Sequence, residues 1–187
     1  MTTTMTPQEA YFQARREGPS DASRILACLS PGWAYAYAQD VDGQLRSDTL
    51  NACLGSPEFS FWYARNIKNA PIDLLRSAAC RDPGWAYQFA LLVDKAPRDD
   101  TRMAAGQDEL AANRYARTID RYPHPALTAK WGDKLDQNPA VYAALDLSVP
   151  GAGDDTDDDD DDGDDDDDDG DDINESAIAA SLLNKLV

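Results

Sequence analysis

Hydrophobic and polar positions recur along this chain with a period of 26 residues. Lines begun at Met5, Pro31, Pro57, Pro83 and Glu109 place like on like, so that PGWAYAYAQDV stands over PEFSFWYARNI, PGWAYQFALLV and ELAANRYARTI. One column reads Tyr37, Tyr63, Phe89, Tyr115 and the next Ala38, Ala64, Ala90, Ala116; three places on stand Val41, Ile67, Val93 and Ile119. Together with Ala34 they give the spacing i, i+3, i+4, i+7, the apolar stripe of one helix face. The line from Met5, around Tyr11, is a degenerate copy, and a fragment around Tyr142 is a truncated further one. Edge copies of an array diverge because one of their faces meets water instead of a neighbour.

Punctuating residues mark two helices per line. Ser30, Ser56, Asp82 and Asp108 stand directly before Pro31, Pro57, Pro83 and Glu109. A side-chain oxygen at the N-cap accepts an otherwise unpaired N–H, and proline in the first helical position loses no bond. This first helix ends at turn residues such as Asp42-Gly43 and Asn69-Ala70-Pro71. Pro19, Pro71, Pro97 and Pro123 share a column in which Leu45 is the exception. Two residues later Asp21, Ser47, Asp73 and Asp99 are again N-cap types, opening a second helix of about eight to ten residues. Ala52, Ala78 and Ala104, with Ala27, Cys53, Ala79 and Ala105 one place on, are small enough to let helix backbones approach closely.

Such helix pairs cannot bury their apolar faces alone, so they are predicted to stack. The expected fold class is all-α: a short α-solenoid of helix-turn-helix repeats with a disordered acidic tail. The repeat domain is expected over residues 1–149, with copies near 5–30, 31–56, 57–82, 83–108 and 109–134. A poly-Asp linker (150–172) and a C-terminal amphipathic helix (173–187) follow.

Asp82-Pro83-Gly84-Trp85-Ala86-Tyr87 with Phe89-Ala90, and the equivalent residues from Pro31 and Pro57, resemble tandem helical repeats of the form DPxxAYxYAxxV. Such repeats occur in bacteriophage and bacterial proteins of mostly unassigned role. The likeness covers residues 30–120, and the last copy departs from it with Glu109 for proline and Asn113 for the first aromatic. The resemblance implies the helical-repeat fold and a viral source; it supplies neither an activity nor site residues.

Charge is segregated along the chain. Residues 154–187 hold 16 Asp and Glu175 against Lys185, hence −16 of the total −18, whereas residues 1–153 are close to neutral. Adjacent like charges repel, and nothing apolar in the Asp run offsets the entropy of ordering it. An extended chain rises about 3.3–3.6 Å per residue and a nucleic-acid strand carries a phosphate about every 3.4 Å. The run therefore presents nearly the linear charge density of a single strand. Asp158, Asp160, Asp162, Asp165 and Asp167 are candidate contacts to a basic protein partner, including a nucleic-acid-binding one. Beyond the run, Asn174 is a good N-cap, and Ile178, Leu182, Leu183 and Leu186 form an apolar stripe suited to docking.

Catalytic chemistry finds little support. Cys28 and Cys80 share a column, and Cys53 stands in the adjacent one, where other copies place Ala or Gly; they are expected to be small packing residues. His124, the single histidine, lies between Pro123 and Pro125 with no acid or nucleophile partner nearby in sequence. The stretch Asp158 to Asp169 has the polar skeleton of a calcium loop, but Asp165 stands where an apolar residue is normal. No enzyme activity, cofactor or metal site is expected. The N-terminus lacks the charge and apolar run of a signal peptide, and no stretch approaches the roughly 18 apolar residues that span a bilayer. With an odd number of cysteines and no CxxC, the expected compartment is the cytoplasm, a host's if the source is viral, with a virion as the variant.

Tyr35, Phe61 and Tyr87 form a second aromatic ladder, open to two readings: packing on the second helix of the adjacent repeat, or an exposed strip on a concave face for a protein partner. Direct nucleic-acid binding is not expected, because the body is not basic. The function expected is that of a non-enzymatic protein–protein interaction module whose acidic tail engages a basic partner. The alternatives are a nucleic-acid-mimicking inhibitor of a nucleic-acid-binding enzyme and a structural or assembly protein of a virion.

Overall fold

The computed structural model describes residues 5–135, and all of its regular structure there is helical. The copy around Tyr142, the Asp run and the segment 173–187 lie outside the described residues. Five helix pairs follow one another: α1 (Pro7–Glu17) with α2 (Asp21–Ala27), α3 (Pro31–Tyr37) with α4 (Ser47–Cys53), and α5 (Pro57–Asn66) with α6 (Ile72–Ala79). Then come α7 (Pro83–Phe89) with α8 (Asp99–Ala105) and α9 (Glu109–Tyr115) with α10 (Pro125–Trp131). Odd-numbered helices pack on the next odd-numbered helix, and each pair leans on its successor, the arrangement expected of stacked repeats.

The first helices start where the cap columns place them. Ser56, Asp82 and Asp108 accept the N–H groups of Phe59, Trp85 and Ala111, while Ser30 stands at the same position without a side-chain bond. Thr6 and Glu9 form a reciprocal capping box ahead of α1. The second helices differ from expectation. Asp21 and Asp99 are first-turn residues, not caps, because each carboxylate faces an arginine three residues on. Asp73 does the same toward Arg76 at 2.5 Å. α2, α4, α8 and α10 are also shorter than expected, at 7 residues, whereas α6 has 8.

The stripe from the sequence is the core. Ala34, Tyr37, Ala38, Tyr63, Phe89, Ala90, Tyr115 and Ala116 are completely buried, as are Ala27, Cys53, Ala79 and Ala105 from the second helices. Each buried ring removes about 150–250 Å² from water, the largest apolar contribution a residue can make here.

Polar columns hold the repeats in register, and they change together. Tyr37, Tyr63 and Tyr115 hydroxyls meet Ser23, Thr49 and Thr101, each 14 residues earlier, at 2.8, 3.1 and 2.9 Å. The same hydroxyls accept the N–H and donate to the carbonyl of the N-cap residues Ser20, Arg46 and Arg98, while the Thr49 and Thr101 N–H groups that Arg46 and Arg98 cannot cap bond Asp48 and Asp100. Where the ring is Phe89, with no hydroxyl, the residue 14 positions earlier is the apolar, fully buried Leu75.

A second pair of columns behaves alike. Arg24, Arg76 and Arg102, all buried, grip Asp42, Asp94 and Asp120 with two parallel bonds 18 residues on. Their guanidinium carbons lie 5.5–5.8 Å from the Tyr37, Phe89 and Tyr115 ring centroids. Wherever this pair occurs, the preceding helix closes on a widened π turn: Ala38–Asp42, Ala90–Asp94 and Ala116–Asp120. The repeat lacking it has Leu50 and Lys68 in those columns, and α5 ends there without a π turn. Gly43, Asn69, Lys95 and Arg121, one column, all take positive φ of 52–61° to leave the helix. Glycine or asparagine suits that conformation; Lys95 and Arg121 carry it at some cost.

Candidate functional site

The aromatic ladder falls on the packing side of its two readings. Phe61 is buried at 1 % exposure between Trp62, Trp85 and Phe89, with ring centroids at 4.9, 5.4 and 6.4 Å. Tyr87 is also buried, and its hydroxyl accepts from Thr118 31 residues on. Tyr35, half-buried, bonds Asn66 at the same spacing. Leu92 holds the corresponding place opposite Phe61 and packs into the same cluster. The ladder therefore packs between repeats, against the next repeat's first helix and the turn that closes it and not against its second helix as expected, with Tyr35 half-buried. An exposed strip of Tyr35, Phe61 and Tyr87 is not what the chain presents.

What the ladder borders is a groove. Phe61, Trp62 and Arg65 from α5, Gly84, Trp85, Tyr87 and Gln88 from α7, and Leu110, Ala111 and Arg114 from α9 line a depression of about 470 Å³, with Leu92 and Asp108. Its origin is one missing ring. In the α3–α5 interface the Phe59 ring covers Gly32, its Cζ standing 3.0 Å from where a Cβ would be. Gly84 is the equivalent glycine, but the residue equivalent to Phe59 is Ala111, and no neighbouring helix reaches within 4 Å of a Cβ built there. The space that an aromatic fills once thus stays open between α7 and α9.

The lining is apolar at the floor and positive at the rim. Trp62 and Trp85 are half-buried, and Leu110 is 59 % exposed. The guanidinium carbon of Arg65, an exposed residue, lies 5.7 Å from the Trp62 ring centroid, a cation–π contact. Among the described residues neither Arg65 nor Arg114 is in an ion pair. Asp108 opposes them, but its Oδ1 is engaged by the Ala111 N–H at 2.9 Å. The sequence signal for this groove is Ala111, in the column of Trp33, Phe59 and Trp85; of its lining, Phe61 and Tyr87 are ladder residues and Trp85 belongs to the repeat motif, whereas Trp62, Arg65, Leu110 and Arg114 carry no signal of their own.

The remaining chemical candidates have structural placements. Cys53 is buried and donates weakly to the Pro31 carbonyl; Cys28 and Cys80 are half-buried. Burial pushes the Cys53 thiol up to about 12, and Cys28 and Cys80 to about 11, so none is a poised thiolate. His124 is the N-cap of α10, its Nδ1 accepting the Ala126 N–H at 3.2 Å. Hydrogen bonds to Asp42, Asp94 and Asp120 hold the buried arginines well above their ordinary range against the opposing effect of burial. Asp158, Asp160, Asp162, Asp165, Asp167, Ile178, Leu182, Leu183 and Leu186 lie outside the described residues. Among the described residues no group of three or more His, Cys, Asp or Glu is placed to hold a metal ion, and no helix is long and apolar enough to cross a membrane.

Comparison with known proteins adds no name to this fold: no protein-family model, no curated protein and no solved structure matches the chain. The chain is a set of sequentially packed helix pairs repeating every 26 residues.

Proposed function

We propose that this protein is a non-enzymatic interaction module, a helical-repeat scaffold whose Asp-rich segment engages a basic protein partner. The observation that carries this reading is the segregation of charge. Residues 5–135 hold 16 basic and 16 acidic side chains, whereas residues 154–187 carry −16. Within the repeats, the recurring polar residues are used in folding: tyrosines on threonine or serine, arginines on aspartates, caps on helix ends. A scaffold spent on its own register leaves recognition to elements outside the repeating columns.

The charge spacing of the Asp run supports a narrower version, in which the segment occupies a basic groove that otherwise receives a nucleic-acid strand. A viral origin, implied by the DPxxAYxYAxxV resemblance, would suit such an inhibitor. The test is affinity for a partner captured by the full-length chain, measured across a salt series. Deleting residues 154–187 is expected to abolish binding, and the intact chain is expected to lose affinity steeply with salt, since exposed charges are screened beyond about 8 Å at physiological ionic strength. Scrambling the segment at constant charge is expected to keep most of that effect. A deletion variant that binds as tightly, with the same salt slope, would remove the acidic segment from the function.

A further inference from the structure

We infer that the groove between α5, α7 and α9 is a second recognition site, one that takes a short acidic peptide with apolar anchors. It is separate from the Asp-rich segment and opposite in preference. The sequence builds the groove by a single departure from the repeat: Ala111 leaves uncovered the space over Gly84 that Phe59 fills over Gly32. The floor includes the half-buried Trp62 and Trp85, and the lining adds Leu110, 59 % exposed. Half-buried tryptophan and arginine are the residue types that dominate protein–peptide binding energy.

Charge selects the occupant. Arg65 and Arg114 stand at the rim without ion-pair partners among the described residues, while the Asp108 carboxylate is held at the α9 N-terminus by the Ala111 N–H. Carboxylates on a bound segment would find two planar guanidiniums, which bond them in pairs. Three helix axes spaced about 8–10 Å apart put about 16–20 Å between α5 and α9. That length accommodates an extended peptide of about five or six residues at about 3.3 Å each. Single-stranded nucleic acid also stacks on aromatic rings, but it brings a phosphate with every nucleotide and needs a basic track. Residues 5–135 are balanced in charge, and two arginines do not make a track. A peptide with a few carboxylates among leucines matches both the floor and the rim.

The experiment titrates the full-length chain with three fluorescent probes at physiological salt. They are a short peptide alternating Glu with Leu, the same peptide with Lys for every Glu, and an oligo-dT strand. The parent chain is expected to bind the Glu peptide about tenfold more tightly than the Lys peptide, the scale of two exposed charge contacts. Ala111→Phe, which restores the ring found elsewhere in its column, is expected to reduce Glu-peptide affinity by about tenfold or more. Its circular dichroism and melting temperature should match the parent's. Arg65→Glu with Arg114→Glu, at exposed positions, is expected to reverse the preference between the two peptides while circular dichroism confirms that the variant is folded.

Glu-peptide affinity unchanged by Ala111→Phe would overturn the groove as the site. Oligo-dT bound more tightly than the peptide, and lost in the same variant, would overturn the peptide in favour of nucleic acid. Self-association of the parent that Ala111→Phe abolishes, with no peptide bound, would give the groove to a second copy and overturn it as well. None of these variants touches residues 154–187, so failure here and failure of the acidic-segment reading are read separately.

Discussion

Removing Arg76 alone, and removing it together with Asp94, should have opposite consequences. The Arg76 side chain is 5 % exposed and so is that of Asp94; the guanidinium bonds the carboxylate through Nε at 2.8 Å and through Nη2 at 2.5 Å. Arg76→Leu leaves a buried carboxylate without its counter-charge and removes the planar group stacked against Phe89. Breaking a buried pair in this way costs about 3–5 kcal/mol, against a total of about 5–15 kcal/mol for a domain of this kind. Asp94→Lys should cost a similar amount for the mirrored reason. The double variant Arg76→Leu/Asp94→Lys reproduces the residues that the chain already uses one repeat earlier, Leu50 and Lys68, in the same two columns. It should recover most of the loss if Leu packs as Leu50 does and the lysine head reaches water as the exposed Lys68 does, because no unpaired charge then stays buried. Urea unfolding of the four proteins followed by circular dichroism gives the coupling, expected at about 2–3 kcal/mol. Additive losses, with the double variant the least stable, would show that the two columns do not act as a unit and would refute the pairing rule.

Tyr115→Phe should destabilise by about 1–3 kcal/mol, since the Arg98 N–H and the Thr101 hydroxyl lose their partner in a buried site. Adding Thr101→Leu, which copies the Phe89–Leu75 pair, should recover part of that loss in the same unfolding assay; a further loss would count against the copied pair. Stability should also fall in alkali. The Cys53 thiol is raised from 9.0 to about 12, so its contribution is complete below pH 9 and is lost as pH rises through about 12. Tyr11, raised from 10.0 to about 12 by burial and by its bond to Asp40, acts in the same direction. Cys53→Ala, a residue already present in that column as Ala27, Ala79 and Ala105, should change little at pH 7 and should flatten the decline between pH 9 and about 12. A decline as steep as the parent's would remove Cys53 from the alkaline response.

Much of the fold was legible because each first helix announces itself locally. A cap residue, a proline and an alternation of Ala with aromatic residues fix the start and buried face of α3, α5 and α7 without any tertiary knowledge. The second helices were less legible: Asp21, Asp73 and Asp99 have the chemistry of a cap and serve instead as outer partners of buried arginines. Nothing within a helix-length window says so, because the deciding residue, Asp42, Asp94 or Asp120, lies 18 positions further on. The π turns and the positive φ at Lys95 and Arg121 were hidden for the same reason.

Columns at separations of 14, 18 and 31 residues reveal these links through joint change: Tyr with Thr against Phe with Leu, Arg with Asp against Leu with Lys, Tyr with Asn or Thr against Phe with Leu. Joint change between columns identifies residues that serve the scaffold. By the same reasoning, a residue that breaks its column without a compensating change elsewhere is not required by the scaffold. Ala111 is such a residue: its aromatic counterpart is lost, Gly84 stays glycine, and the one side-chain atom within 4 Å of a Cβ built there is Oδ1 of Asp82, the cap of the same helix. Leaving the space empty forfeits the apolar contact that a ring at this position would make. That forfeited contact, and not the recurring aromatic ladder, points to where the repeat array has a use beyond its own packing.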